Sequence, residues 1–132
     1  MSTFDWEDYS LLADKLSMIQ KEEYIRSAIS RYYYGLFGLS RKYFIETKDF
    51  YQFSKKNSYI HKQISNELMK SNNSTEAYVG ETLFLLRNKR NKADYDANLN
   101  MEYFLKDLNK IKNQTRKAIE SIKYLKNNPS YI

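Results

Sequence analysis

Glycine and proline are nearly missing from this chain, with three and one respectively in 132 residues. Glycine supplies the left-handed backbone of tight turns and proline interrupts helices, so a chain this poor in both has few places to reverse direction. That scarcity predicts long, uninterrupted helices rather than a sheet of many short strands. The length suits one domain with a real core. A hydrophobic content of 42% must then be gathered onto helix faces.

The apolar spacing fits five helices. The first, over residues 5–19, sets Trp6, Tyr9, Leu12, Ala13, Leu16 and Ile19 on one face, with Asp5, Glu7 and Asp8 at the end where the helix dipole favours negative charge. The second, over residues 22–46, carries a stripe of Ile25, Ala28, Ile29, Tyr32, Leu36, Leu39 and Tyr43, widened by Tyr33, Phe37 and Phe44. It is the central helix, covered on more than one side. Gly35 and Gly38 lie inside it, where each costs about 1 kcal/mol relative to alanine, and so imply a close approach by another helix. The run Tyr32-Tyr33-Tyr34 reads as core and boundary packing rather than as a platform for stacking bases.

Residues 47–57 dilute the pattern and read as a loop. A third helix, residues 58–70, repeats Ile60, Ile64 and Leu68 every four positions, with Ser58 as its N-cap. His61, the only histidine, stands one position off that stripe. Without further ligands at metal-binding spacing it reads as a structural or surface residue, and a catalytic role would need the fold to carry it to residues 86–96. Asn73 and Glu76 have the spacing of a capping box and open the fourth helix, along which Tyr78, Val79, Leu83, Leu86 and Arg90 align.

After a linker with Asn98 and Asn100, the fifth helix spans residues 101–126 with Met101, Phe104, Leu105, Leu108, Ile111, Ala118, Ile119, Ile122 and Leu125 on one face. Asn113, Gln114 and Thr115 interrupt that face, and Asn127-Asn128-Pro129 ends the helix. Lys110, Lys112, Arg116, Lys117, Lys123 and Lys126 read as its solvated side. The expected architecture is all-α, an antiparallel up-and-down bundle of about five helices forming one domain over residues 1–132, with its core at about 5–126.

The absence of cysteine removes disulfides and thiolate metal sites, and no metal or cofactor is expected. No apolar run approaches the roughly 18 residues of a membrane span. The acidic start around Trp6 is unlike a signal peptide, so a soluble, cytoplasmic protein is expected. The net charge of +6, from 22 Lys and Arg against 16 Asp and Glu, concentrates in residues 41–70, 87–92 and 106–126, which suits a polyanion such as RNA.

Residues 86–96 hold the densest chemistry. Arg87, Lys89, Arg90 and Lys92 are interleaved with Asn88 and Asn91, followed by Asp94, Tyr95 and Asp96, and preceded by Leu83-Phe84-Leu85-Leu86. The apolar run should be buried and the polar group should emerge from its end. Arg90 continues the packed stripe. Its spacing to Asp94 is that of a helical salt bridge, so the group could also serve only to staple the fourth helix to the second.

Residues 26–37, Arg-Ser-Ala-Ile-Ser-Arg-Tyr-Tyr-Tyr-Gly-Leu-Phe, together with residues 86–96, Leu-Arg-Asn-Lys-Arg-Asn-Lys-Ala-Asp-Tyr-Asp, resemble the motifs of the small prokaryotic HEPN (higher eukaryotes and prokaryotes nucleotide-binding) domains. His61 also sits where one subgroup has a histidine opening its third helix. The resemblance implies a helical bundle that commonly forms a homodimer, the motif helices of two protomers lining a shared cleft. It further implies metal-independent endoribonuclease or RNA-binding activity in toxin–antitoxin or anti-phage defence modules, often beside a minimal nucleotidyltransferase.

The family's catalytic motif is Arg, a polar residue, then His after a few positions. Arg90 and Asn91 match its first two positions, but Tyr95, flanked by Asp94 and Asp96, stands where the histidine would be. Tyrosine, with a pKa near 10, is a poor base, so the resemblance implies phosphate or RNA binding more readily than cleavage. On that reading Arg90 and Asn91 hold the phosphate, Asp94 and Tyr95 hold the arginine or replace the base, and Arg87, Lys89 and Lys92 bind the RNA backbone. The alternative is a non-catalytic subunit whose motif face docks a nucleotidyltransferase or other effector protein.

Overall fold

The computed structural model describes residues 4–54 and 59–128. Its elements are α1 (Glu7–Ser17), α2 (Glu22–Thr47), a 3₁₀ turn (Tyr51–Ser54), α3 (Ile60–Met69), α4 (Ser74–Tyr95) and α5 (Met101–Asn127). Among the described residues there is no strand, and the buried apolar side chains form one core. The bundle of about five helices expected from the glycine and proline scarcity is the observed architecture.

Side-chain contacts give the directions of the helices. Tyr32 donates to Asp14 at 2.6 Å while Gly38 lies against Trp6, so α1 and α2 run antiparallel. Ser30 reaches Asp94 at 3.4 Å and Tyr43 reaches Glu76, which sets α4 antiparallel to α2. Lys89 meets Asp107 at 2.6 Å and Lys92 meets Tyr103 at 3.0 Å, reversing direction again at α5. The second helix packs on α1, α4 and α5 and is the centre of the bundle.

Both glycines of α2 serve the approach of α1. A β-carbon on Gly35 would stand 3.1 Å from the Trp6 carbonyl oxygen and 3.2 Å from the Ser10 nitrogen, and one on Gly38 would overlap the Trp6 ring. Backbones this close admit only small side chains at the seam, which is why Ser10 and Ala13 are the buried residues of α1. The expected stripe is therefore corrected: Leu12 is 42% and Ile19 41% exposed, and α1 ends at Ser17. Gly80 of α4 does the same for α3, since a β-carbon there would lie 2.6 Å from the Met69 nitrogen.

Helix ends follow local chemistry. Asp49, with φ of 61°, turns the chain after α2, and the Phe50 N–H donates to the Phe44 carbonyl at 3.1 Å. The segment read as a loop thus contains a 3₁₀ turn and a buried ring, Phe53. Lys55, Lys56, Asn57 and the expected cap Ser58 lie outside the described residues, as does Pro129; α3 begins at Ile60. At α4 the capping box is half formed. Asn73 accepts from the Thr75 and Glu76 N–H groups at 2.9 and 3.0 Å, but its own N–H donates to Ser71 Oγ and Glu76 points inward.

Glu76 is 1% exposed and accepts from Tyr43, from Lys48 at 2.9 Å and from Ser71 at 2.5 Å. Burial alone would raise its pKa, but the bonds from Lys48, Ser71 and Tyr43 outweigh it and hold the carboxyl below its ordinary range. The Tyr43 hydroxyl is pushed up, by burial and by its bond to that carboxylate.

Two further expectations change. Phe84 is 55% exposed and Leu85 half-buried, because Val79, Leu83 and Leu86 already occupy the inward face of α4. Thr115 is buried and donates to the Ile111 carbonyl at 2.7 Å, so the α5 stripe continues unbroken through it. The basic side of α5 is solvated as expected, with Lys110, Arg116, Lys117, Lys123 and Lys126 exposed; Lys123 pairs with Glu7 at 2.6 Å, Lys126 with Glu46 at 3.4 Å, and Lys117 lies over the Tyr78 ring at 4.9 Å.

Candidate functional site

The end of α4 is fixed by Arg26, a residue 66 to 73 positions away in sequence. Its Nη1 donates to the Lys92 and Ala93 carbonyls at 3.4 and 2.9 Å. Its Nη2 donates to the Asp96 and Leu99 carbonyls at 2.9 and 2.7 Å. Glu22 anchors its Nε at 2.9 Å, and Phe104 lies 4.6 Å beneath the guanidinium carbon. The last carbonyls of a helix lack partners and carry the negative end of its dipole, so one planar cation answers both needs and holds residues 92–99 against α2. In sequence Arg26 only opens the motif segment of residues 26–37, and no local spacing there points to this contact.

Arg90 is held as tightly. Its Nη2 donates to the Tyr34 hydroxyl and its Nη1 to Asn91 Oδ1 at 2.5 Å. Its Nε lies 3.2 Å from Asp94 Oδ2, close enough for an ion pair but without the alignment of a hydrogen bond. The guanidinium carbon stands 5.0 Å from the Tyr34 ring and 5.7 Å from that of Tyr95. The structure therefore brings Arg90, Asn91, Asp94 and Tyr95 together, with Tyr95 the outermost at 75% exposed.

Behind Arg90 the fold places His61. Its ring stacks on Phe37 at 4.0 Å, and its Nδ1 is 2.6 Å from the Tyr33 hydroxyl. Burial, then the charges of Arg87, Arg90 and Arg41, lower its pKa to about 4, so the imidazole is neutral at physiological pH. Burial pushes the Tyr33 hydroxyl up, against the opposing pull of Arg87 and Arg90. The histidine is packed rather than superficial. The fold also meets the condition set for any role at residues 86–96, since it carries the ring to the neighbourhood of Arg87 and Arg90.

The remaining cations divide between two sides of α4. Lys89 is paired to Asp107 and Lys92 donates to Tyr103, both facing α5. Arg87 faces α3. There it joins Lys62, Ser65, Asn66, Phe84, Asn88 and Asn91 around a cleft of about 250 Å³. No carboxylate lines it, and Arg87 makes no hydrogen bond or ion pair among the described residues. Two cations, four hydrogen-bonding polar side chains and one exposed ring form a concavity suited to an anion carrying a flat group. Lys62, Ser65 and Asn66 were not among the residues singled out from sequence, and Phe84 was read there as part of a buried run. Only the packing of α3 on α4 reveals them.

Among the described residues no group of acidic, histidine or cysteine side chains could hold a metal ion, and no helix is long and apolar enough to cross a membrane. Comparison of the chain with protein-family models, with curated proteins and with solved structures finds no match.

Proposed function

We propose that this chain is an RNA-directed protein of the HEPN type, belonging to a toxin–antitoxin or anti-phage module, and that it binds RNA through the cleft between α3 and α4. The observation that supports this reading most is the composition of that cleft: Arg87 and Lys62 converge beside Ser65, Asn66, Asn88 and Asn91 with no acid among them. Arg87 meets the phosphate, bidentately, and Lys62 adds a second charge. Asn91, oriented by Arg90, contacts the sugar or the second phosphate oxygen. Phe84 offers a face on which a base can stack.

Arg90 acts in this scheme as a positioning residue. Its three neighbours, Tyr34, Asn91 and Asp94, already engage the guanidinium. Tyr95 remains a poor base, and His61 is turned toward Tyr33, so binding is favoured over cleavage. The test is titration of a labelled single-stranded RNA with wild-type protein and with Arg87→Ala, read by anisotropy and on a denaturing gel. Weaker binding by the variant, with intact RNA in both lanes, supports the reading.

The second reading, a subunit that docks a nucleotidyltransferase or other effector, is favoured by the rings left uncovered around the motif, Phe84 and Tyr95. Co-purification with the product of an adjacent gene, abolished by Phe84→Asp while RNA affinity stays absent throughout, would select it instead.

A further inference from the structure

A second cleft, of about 380 Å³, lies on the other flank of α3, between that helix and the 3₁₀ turn. Asn66 lines both it and the cleft that holds Arg87, so the two adjoin across the exposed ridge of α3. Their chemistry differs. The cleft beside α4 has two cations and no acid. In the second, the only charged groups among its described residues, Glu67 and Lys70, pair with each other at 2.8 Å. What remains there is two rings, Phe50 and Phe53, and the amides of Gln52, Gln63 and Asn66. None of these three side-chain amides is hydrogen-bonded among the described residues.

The rings are held in place by the end of α2. Phe50 lies flat on Phe44, with centroids 5.3 Å and planes 2° apart, and Phe53 stands edge-on to both. The Phe53 N–H donates to the Phe50 carbonyl at 3.0 Å, and the Phe53 carbonyl accepts from Arg41 Nε at 2.6 Å. Phe53 is buried whereas Phe50 is half-buried. With one face resting on Phe44, Phe50 is the ring on which a flat group entering the cleft can lie.

We infer that this second cleft takes the base of the nucleotide next to the one whose phosphate Arg87 binds, and that it selects adenine, an assignment that rests on the RNA reading of the neighbouring cleft. A base is flat, uncharged and rimmed with donors and acceptors. An anchored ring, a cancelled pair of charges and three unengaged amides fit such a group and offer little to a phosphate. A side-chain amide sets a carbonyl beside an NH₂ and so matches adenine, in which an amino group stands beside a ring nitrogen. Guanine is read best by a free cation, and Lys70 is engaged by Glu67. A pyrimidine covers less of the Phe50 ring than a purine does.

The test is competition against a labelled short oligouridylate, read by anisotropy, using unlabelled oligouridylates that each carry a single adenosine, guanosine or cytidine. The adenosine oligomer should bind the wild-type protein about tenfold more tightly than plain oligouridylate. The double variant Gln52→Leu with Gln63→Leu changes two exposed positions that line this cleft and not the one beside α4. It should keep the circular dichroism spectrum and the affinity for oligouridylate, and lose the preference. A wild type indifferent to the adenosine, or a preference that survives the double variant, would overturn the adenine site and leave the RNA reading intact. RNA binding absent from the wild type, or unchanged by Arg87→Ala, would overturn both.

Discussion

Arg90 of α4 donates through Nη2 to the hydroxyl of Tyr34 at the middle of α2, tying the motif helix to the centre of the bundle. A charge-assisted bond of this kind contributes about 1.5–3 kcal/mol, and its loss leaves the guanidinium short of a partner. Tyr34→Phe should lower stability in urea by about 1.5 kcal/mol. A double-mutant cycle with Arg90→Ala should give a coupling of about 1 kcal/mol or more. Strict additivity would show that the contact carries no energy.

Arg26 should matter more than its sequence position outside residues 86–96 suggests. Arg26→Ala removes the donor from the Ala93, Asp96 and Leu99 carbonyls and should cost about 2–3 kcal/mol, with amide exchange accelerated in residues 92–99 ahead of the rest of the chain. Arg26→Lys should recover little, since an ammonium lacks the planar fork that spans those oxygens. Full rescue by lysine would mean that charge alone is sufficient.

The buried Glu76 is the other vulnerable point. Glu76→Ala leaves the Lys48 ammonium and the Tyr43 hydroxyl without their shared acceptor and should cost about 3 kcal/mol, measured by urea denaturation at neutral pH. Because the folded carboxyl titrates below its ordinary range, its contribution is complete above the unfolded pKa and is lost in acid.

His61 should give stability a separate pH dependence. Its pKa falls from 6.5 unfolded to about 4 in the fold, so between these values the unfolded chain binds more protons and stability rises with pH. The contribution is complete above pH 6.5 and lost toward pH 4, on the order of 2 kcal/mol after allowance for solvent screening. His61→Phe keeps the stacking on Phe37 and should flatten the denaturation midpoint across that window. An unaltered slope would place the histidine's titration elsewhere.

The helices were legible because burial imposes periodicity: Val79, Leu83 and Leu86 are inward at the spacing the sequence displays. Gly35 and Gly38 likewise announced a close helix, and α1 is that helix. What the pattern could not show was how that closeness would turn α1, choosing Ser10 and Ala13 for the seam and leaving Leu12 and Ile19 outside. At the motif, Arg90 and Asp94 were readable as neighbours because they share a helix. The Arg26 clasp, the Tyr34 bond and the approach of His61 and Lys62 join residues on different helices, and no local spacing encodes them. Arg87, Lys89 and Lys92 carried one shared role in sequence, yet the packing of α5 engages Lys89 and Lys92 and leaves Arg87 facing the α3 side.

RNA affinity as a function of salt tests the central proposal most directly. Anisotropy titrations of a labelled single-stranded RNA should give a log–log salt slope that falls by roughly 0.7 for each phosphate contact removed. Arg87→Ala should reduce the slope by about that amount and weaken binding about tenfold, Lys62→Ala should act in the same direction, and Lys106→Ala, exposed on α5, should leave both quantities unchanged. Equal affinity and slope for wild type, Arg87→Ala and Lys62→Ala would contradict a phosphate site between α3 and α4.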